Sequence, residues 1–298
     1  MTNQTKADVL GLCAVLCWST VATAFKLSLQ YLSPAQLLLI ASVTSWLILF
    51  FILAWQGKLG LIRTFGRKDY RASLIFGSLN PVLYYLVLFQ AYKLLPAQEA
   101  QALNYTWALT MALLAAPLLR HPLKIRDMLG ALVCYSGVLV IASRGALGTI
   151  QFENLTGVLF ALSSTVIWAL YWIYNTRDHR DPLAGLFLNF TFAIPLLVAY
   201  CIVRGELSSV SWAGLMGGVY VGIFEMGISF VLWSHAMKLT DNTARISNLI
   251  FISPLLSLFL IAKVLDEAIM PSTIAGLALI LMGLIVQRLI APRRFKAD

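Results

Sequence analysis

Glu225 sits in the middle of a long apolar run, Gly222-Ile223-Phe224-Glu225-Met226-Gly227. An ionisable side chain at membrane depth costs a few kcal/mol and marks a functional position by default. A carboxyl group there can bind a substrate amine, or take up and release a proton, because desolvation penalises its charged form. The structural alternative is a buried acid bonded to Asn80 or to a hydroxyl. Asn80 lies mid-way along another apolar run and precedes Pro81, which removes a backbone donor. Such a break lines a cavity, acts as a bending point or is a tolerated kink. A third polar group comprises Glu99, Gln101, Asn104, Tyr105 and Trp107. Gln101, Asn104 and Tyr105 share the bundle side and Trp107 flanks them. Glu99 lies nearer the segment's end, where Lys93 or water would meet it.

Trp168, Tyr171, Trp172 and Asn175 recur at i, i+3, i+4 and i+7, one face of a helix. Trp172 and Asn175 are assigned to the interfacial belt. Trp168 and Tyr171 lie deeper and serve either as core or as a stack for an aromatic or organic-cation ligand. Tyr84, Tyr85, Gln90, Ser229 and Trp233 extend the same wall. Arg245 either binds a substrate carboxylate or snorkels to the interface. The substrate-binding set is therefore Asn80, Tyr84, Gln101, Asn104, Tyr105, Trp107, Trp168, Tyr171, Glu225 and Ser229, with Glu225 also the coupling candidate. No zincin, Walker A, nucleophile-elbow or dinucleotide signature is present in the sequence. His121, His179 and His235 are widely separated. Cys13, Cys17, Cys134 and Cys201 lie in apolar runs without metal or redox spacing and are read as small core residues. No catalytic residue, metal or cofactor is expected.

The elements that must position these residues are membrane helices. Of 298 residues, 60% are apolar and 12% charged, which excludes a soluble enzyme, a disordered chain or a disulfide scaffold. The mean hydropathy of +0.82 agrees. Apolar runs between charged or Pro/Gly punctuation predict ten spans, at roughly 8–30, 34–55, 70–92, 97–119, 127–143, 155–174, 182–203, 212–236, 242–265 and 271–289. Lys6, an apolar run and Ala22-Thr23-Ala24 give the first span a signal-peptide look. The run is too long for one, and Lys26 follows directly, so it is read as an uncleaved helix. In a soluble chain the net charge of +9 would point to nucleic acid. Here alternate loops sort sixteen Lys and Arg to one side against five on the other, which predicts both termini in the cytoplasm and no nucleic-acid partner.

Self-comparison shows a repeat. Ala91-Tyr92-Lys93-Leu94 matches Ala236-Met237-Lys238-Leu239, and Gly130 and Gly137 match Gly276 and Gly283. Leu10-Gly11 and Thr156-Gly157 open comparable helices that carry Trp18 and Trp168, and Pro34 and Pro182 start the helices that follow. The offset places Asn80 opposite Glu225. Two halves, 1–147 and 148–298, then hold five helices each. An odd number inverts the second half, the duplication associated with alternating access. Gly214, Gly218 and Gly222 recur every four residues and predict close packing of the eighth helix.

Ten short helices in this arrangement resemble the drug/metabolite transporter superfamily, and the EamA family more closely. Ile252-Ser253-Pro254-Leu255-Leu256, then Asp266-Glu267, then a helix with Gly276 and Gly283 carry the resemblance. The first half departs from it, with Leu109 at the Pro position and His121-Pro122 at the acidic position. Asn104-Tyr105-Thr106-Trp107 and Trp18-Ser19-Thr20 are similar to stretches of YddG-type aromatic amino acid exporters, although Ala108 replaces the Pro expected after Trp. The resemblance implies an all-α secondary transporter in a bacterial inner membrane that moves a small organic metabolite, with export the favoured direction. An amino acid, with an aromatic side chain favoured, is the leading substrate; a lipophilic cation or a purine-like metabolite is the alternative. Protons are the candidate coupling ion, and the chain is a monomer or homodimer. An intramembrane enzyme lacks a motif, and a structural subunit would not require Glu225 at mid-membrane.

Overall fold

The computed structural model describes residues 2–119, 125–145, 154–207, 209–241 and 243–289. All regular structure among them is helical. Eight helices are long and apolar enough to cross a membrane: α1 (Asn3–Ser28), α2 (Pro34–Trp55), α3 (Arg67–Leu94), α4 (Ala97–Leu119), α6 (Leu155–Asn175), α7 (Pro182–Arg204), α8 (Trp212–Leu239) and α9 (Arg245–Val264). The fifth and tenth predicted spans form α5 (Ile125–Ala142) and α10 (Pro271–Leu289). Their apolar portions, Asp127–Ala142 and Pro271–Val286, are shorter than the other eight. The first span starts at Asn3 rather than residue 8, because the Thr2 hydroxyl accepts from the Thr5 amide and caps the helix early.

Local sequence explains the other starts. Ser33 and Gln36 form a reciprocal capping box around Pro34 at the first helical position. Asp181 caps α7 ahead of Pro182, Asn154 accepts from Gly157 at the start of α6, and Ser211 accepts from Gly214 at the start of α8. Within the membrane, helices gain little from burying apolar side chains, so small residues that allow close approach decide which helices meet. α5 and α10 meet through glycines. A Cβ on Gly137 would lie 2.5 Å from the Gly276 carbonyl oxygen, and one on Gly283 would lie 2.6 Å from that of Gly130. The contacts run crosswise, which is how a two-fold interface pairs its residues. Trp46 of α2 donates its indole N–H to Thr191 of α7 at 2.9 Å, 145 residues along the chain. The α8 glycine ridge packs on α2, where Gly218 meets Ile40 and Gly222 meets the Ala41 carbonyl.

Two helices are interrupted. A π-helical turn occupies Ser78–Leu83 in α3 and another Gly222–Gly227 in α8. Asn80 leaves helical geometry altogether (φ −142°, ψ 114°), and Gly227 lies at φ −105°, ψ −93°. α4 and α9 bend at Tyr105-Thr106 and at Ile250-Phe251, between the helical pieces on either side.

Candidate substrate-binding site

A cavity of about 680 Å³ lies between α1, α3, α4, α6, α8 and α9, with Leu284 of α10 also on its lining. Sequence reasoning supplied four of these walls, from α3, α4, α6 and α8; α1, α9 and Leu284 of α10 complete it. Seven predicted residues line it: Tyr84, Gln101, Asn104, Tyr105, Trp107, Trp168 and Glu225. Trp168 is its hub. Tyr84 stacks on the Trp168 ring at 4.4 Å, and Trp107, Trp172 and Phe230 meet it edge-on at 6.4, 5.8 and 6.5 Å. Trp18 and Trp233 continue the aromatic surface at a ring separation of 5.3 Å. Asn104 donates its amide to the Ser164 hydroxyl at 3.0 Å, which fixes its orientation from the α6 side.

Glu225 reaches the cavity because the π-helical turn widens the spacing of α8 around it. Its Oε1 accepts the Tyr85 hydroxyl at 2.9 Å, and its Oε2 is buried without a partner. Gln101 Oε1 is likewise buried and unpartnered. The orphaned donor on the lining is the Trp172 indole N–H. Among the described residues lining the cavity, Glu225 supplies the formal charge, with no Lys, Arg or His beside it.

Three predicted residues lie elsewhere. Asn80 is 4% exposed and turns away from the cavity, so it does not meet Glu225. Its extended backbone sends the side chain toward α6 and α7, where it and Asn189 lie against the Tyr171 hydroxyl. Tyr171 is buried behind the lining, stacked on Trp168 at 5.8 Å and edge-on to Phe76. Ser229 is also buried, and its hydroxyl donates to the Phe224 carbonyl freed by the α8 break. Trp172, assigned to the belt, lines the cavity instead, while Asn175 does not. Trp18, Phe25, Tyr92 and Phe230 also line it and escaped the candidate set, since their spacing equals that of ordinary core aromatics.

Beyond Phe25, Tyr92 and Gln101, one end of the bundle is tied shut. Lys26 donates to the Tyr92 and Leu95 carbonyls at 2.9 and 2.6 Å. Glu99, 3% exposed, pairs with Arg144 at 2.9 Å rather than with Lys93. Glu267 accepts from the Ala97 and Gln98 amides at 3.1 and 3.3 Å, and Gln98 bonds back to Ala268 and Met270. This acid satisfies the open N-terminus of α4. At the other end the cavity runs to Thr176, the C-cap of α6, and to Met237 and Ser247. There Arg245 pairs with Asp8 at 2.7 Å, on a side chain 60% exposed, and does not line the cavity. Of the cysteines, Cys134 and Cys201 are buried but Cys13 is exposed on α1, so the core reading holds for only part of the set. His121 and Pro122, and the basic residues Arg120, Lys124, Arg293, Arg294 and Lys296 of the orientation count, lie outside the described residues.

The chain is 27% identical to the aromatic amino acid exporter YddG of Ancylobacter novellus, over 98% of this chain and 100% of that protein. It is 23% identical to an uncharacterized transporter, YvbV, of Bacillus subtilis (94% and 91% covered). A probable amino-acid metabolite efflux pump of Salmonella typhimurium is 23% identical, with 94% of each chain covered. A solved protein structure superposes with a TM-score of 0.65 at 25% identity, covering 96% of this chain and 98% of that one. The sequence pattern of one family matches twice, at residues 5–143 and again at 155–288, once in each half of the helical bundle. That doubled match spans most of the chain, and on it the protein belongs to the EamA-like transporter family.

Proposed function

We propose that this protein is a secondary transporter that moves small aromatic metabolites bearing an amino group, the aromatic amino acids among them, out across a bacterial inner membrane. One observation carries the reading: a cavity of about 680 Å³ that joins a Trp168-centred aromatic cage to the carboxylate of Glu225. The cage holds a planar ring through stacking and cation–π contact, and Glu225 holds the amino group. Asn104, Tyr105, Gln101 and Trp107 complete the substrate contacts, and Tyr171 backs the cage from behind. The Ancylobacter and Salmonella relatives, an aromatic amino acid exporter and a probable amino-acid metabolite efflux pump, support both the substrate class and the outward direction.

The proposed architecture is ten membrane helices in two inverted halves, 1–147 and 148–298. The doubled family match, the crosswise glycine contacts of α5 with α10, and breaks at corresponding places in α3 and α8 support it. Inverted halves make alternating access a rocking of one half against the other around a fixed site. The basic loops favour cytoplasmic termini. The end tied by Lys26, Glu99 and Glu267 then faces outward and the cavity opens inward. Glu225 serves as the coupling group, loading a proton when the substrate leaves.

Uptake of labelled tryptophan, tyrosine and their amines into proteoliposomes, with and without an imposed pH gradient, tests the reading. The wild type accumulates at least one of them in response to the gradient, and the Tyr105→Ala, Trp168→Ala double variant does not. Equal uptake by protein-free vesicles, or by the double variant, removes the proposal.

A further inference from the structure

The charge carried by the cavity selects among aromatic amino compounds. Resting on the reading of this cavity as the transport site, we propose that its preferred cargo is an aromatic monoamine with one positive charge, rather than the zwitterionic amino acid of the same ring. Glu225 Oε2 is a buried acceptor without a donor, and Gln101 Oε1 is another. Both oxygens call for N–H groups, which an ammonium supplies three at a time. A cation seated against Glu225 leaves the site neutral, and the faces of Trp168, Tyr84 and Trp107 add cation–π attraction.

A zwitterion brings a carboxylate as well, and the described lining offers it no cation. The nearby positive charges are engaged: Lys26 holds two backbone carbonyls and Arg144 holds Glu99. The α4 N-terminus, whose amides would attract an anion, already carries the Glu267 carboxylate. With Glu225 ionised, a bound zwitterion leaves one buried negative charge uncompensated. With Glu225 protonated, both charges of the zwitterion enter without a charged partner. Either arrangement is penalised, because a buried charge needs a hydrogen-bonded counter-charge. The Trp172 indole N–H remains for a neutral acceptor on the ring, such as a hydroxyl.

The test compares ligands that share one ring. Binding of tryptamine, tryptophan and the permanently charged N,N,N-trimethyltryptammonium to the full chain in nanodiscs is measured by titration calorimetry at pH 7. Flux of the trimethyl compound, which cannot shed a proton and diffuse, is followed in proteoliposomes. Tryptamine is expected to bind at least tenfold more tightly than tryptophan; trimethyltryptammonium, which keeps the charge and the cation–π contacts but has no ammonium N–H to donate, is expected to bind less tightly than tryptamine and still to be transported. In Glu225→Gln, which keeps shape and hydrogen bonding, the ratio of the two affinities falls toward one. In Trp168→Ala both affinities fall while the ratio stays. Tryptophan binding as tightly as tryptamine overturns this inference and leaves the transport reading standing. A preference that survives Glu225→Gln also overturns it. Binding of neither indole to protein with intact helical circular dichroism overturns the inference and the transport reading together.

Discussion

The breaks in α3 and α8 are built alike and used differently. In each, a glycine brings the helix backbone onto a neighbour: Gly77 onto the Asn189 carbonyl of α7, Gly222 onto the Ala41 carbonyl of α2. Each is a six-residue π-helical turn with a polar residue inside it. In α3 the proline and the extended backbone at Asn80 turn that residue into the wall between α6 and α7, where its Oδ1 stays unpartnered. In α8 the disturbed carbonyls are taken by hydroxyls, Ser45 on Met226 at 2.9 Å and Ser229 on Phe224. Glu225 is left facing the cavity, its Oε1 taking the Tyr85 hydroxyl. The same interruption thus serves packing in one half and ligand chemistry in the other. A break frees backbone groups and re-aims a side chain; what surrounds it decides the use.

The sharpest way to break this comparison is to exchange functions at the two positions. Glu225→Gln should lower amine binding at least ~30-fold, since removing one partner of a buried hydrogen-bonded charge pair costs about 2–5 kcal/mol. Asn80→Ala should leave affinity within about threefold, because a residue off the cavity wall supplies no ligand contact. Titration calorimetry on both variants decides, and an Asn80 effect as large as that of Glu225 would erase the distinction. Next in size is the glycine pair. Gly77→Ala and Gly222→Ala should each destabilise by about 1–3 kcal/mol, the usual range for overpacking. Gly77 should be the worse of the two, since its new methyl would come closer to the Asn189 carbonyl oxygen than that of Gly222 would to the Ala41 carbonyl oxygen or the Thr44 Cβ, at 2.6 Å each. Thermal unfolding in detergent reads the order.

Tyr85→Phe sharpens the chemistry of the α8 break. It removes the donor to Glu225 Oε1 at a cost of about 1–3 kcal/mol in stability, while amine binding persists because the ligand meets Oε2. Loss of binding as complete as in Glu225→Gln would make Tyr85 part of the ligand contact set. The smallest effect concerns the bracing of α3 from its loop side. Arg180 reaches the Asp69 carbonyl and the Ser73 hydroxyl on α3 while paired with Asp178 at 2.6 Å. Burial pushes the Asp178 carboxyl up, yet the Arg180 hydrogen bonds outweigh it and hold the group below its ordinary value. A depressed carboxylate contributes stability above its unfolded value, near pH 4, and loses it only as pH falls through the lower folded one. Asp178→Asn should therefore lower the melting temperature by the same few degrees at pH 7 and pH 5.5. A loss that shrinks at pH 5.5 would mean the carboxyl already binds a proton there.

Most helix positions were legible in the sequence, because a membrane segment needs a long apolar run and few other runs compete with it. Glu225 was legible for the converse reason: a charge inside such a run has to be justified by what surrounds it. The glycines of α5 and α10 were legible as a spacing, though not as each other's partners. Trp172 was misplaced, since a tryptophan at a lipid interface and one on a cavity wall look alike in one chain. Asn80 was placed opposite Glu225 by the repeat, and the correspondence along the chain did not carry over to facing across the cavity.

From residues alone, then, follow the apolar helices, the midplane carboxyl and the doubled pattern, since each rests on local burial energetics or on counting along the chain. Tertiary structure decided which aromatic rings gather on Trp168, why Tyr85 rather than Asn80 meets Glu225, and where Lys26, Arg144 and Glu267 are engaged. These depend on how the broken helices rotate as they pack, and the rotation is set by contacts between residues from 45 to 181 positions apart, which no local pattern encodes.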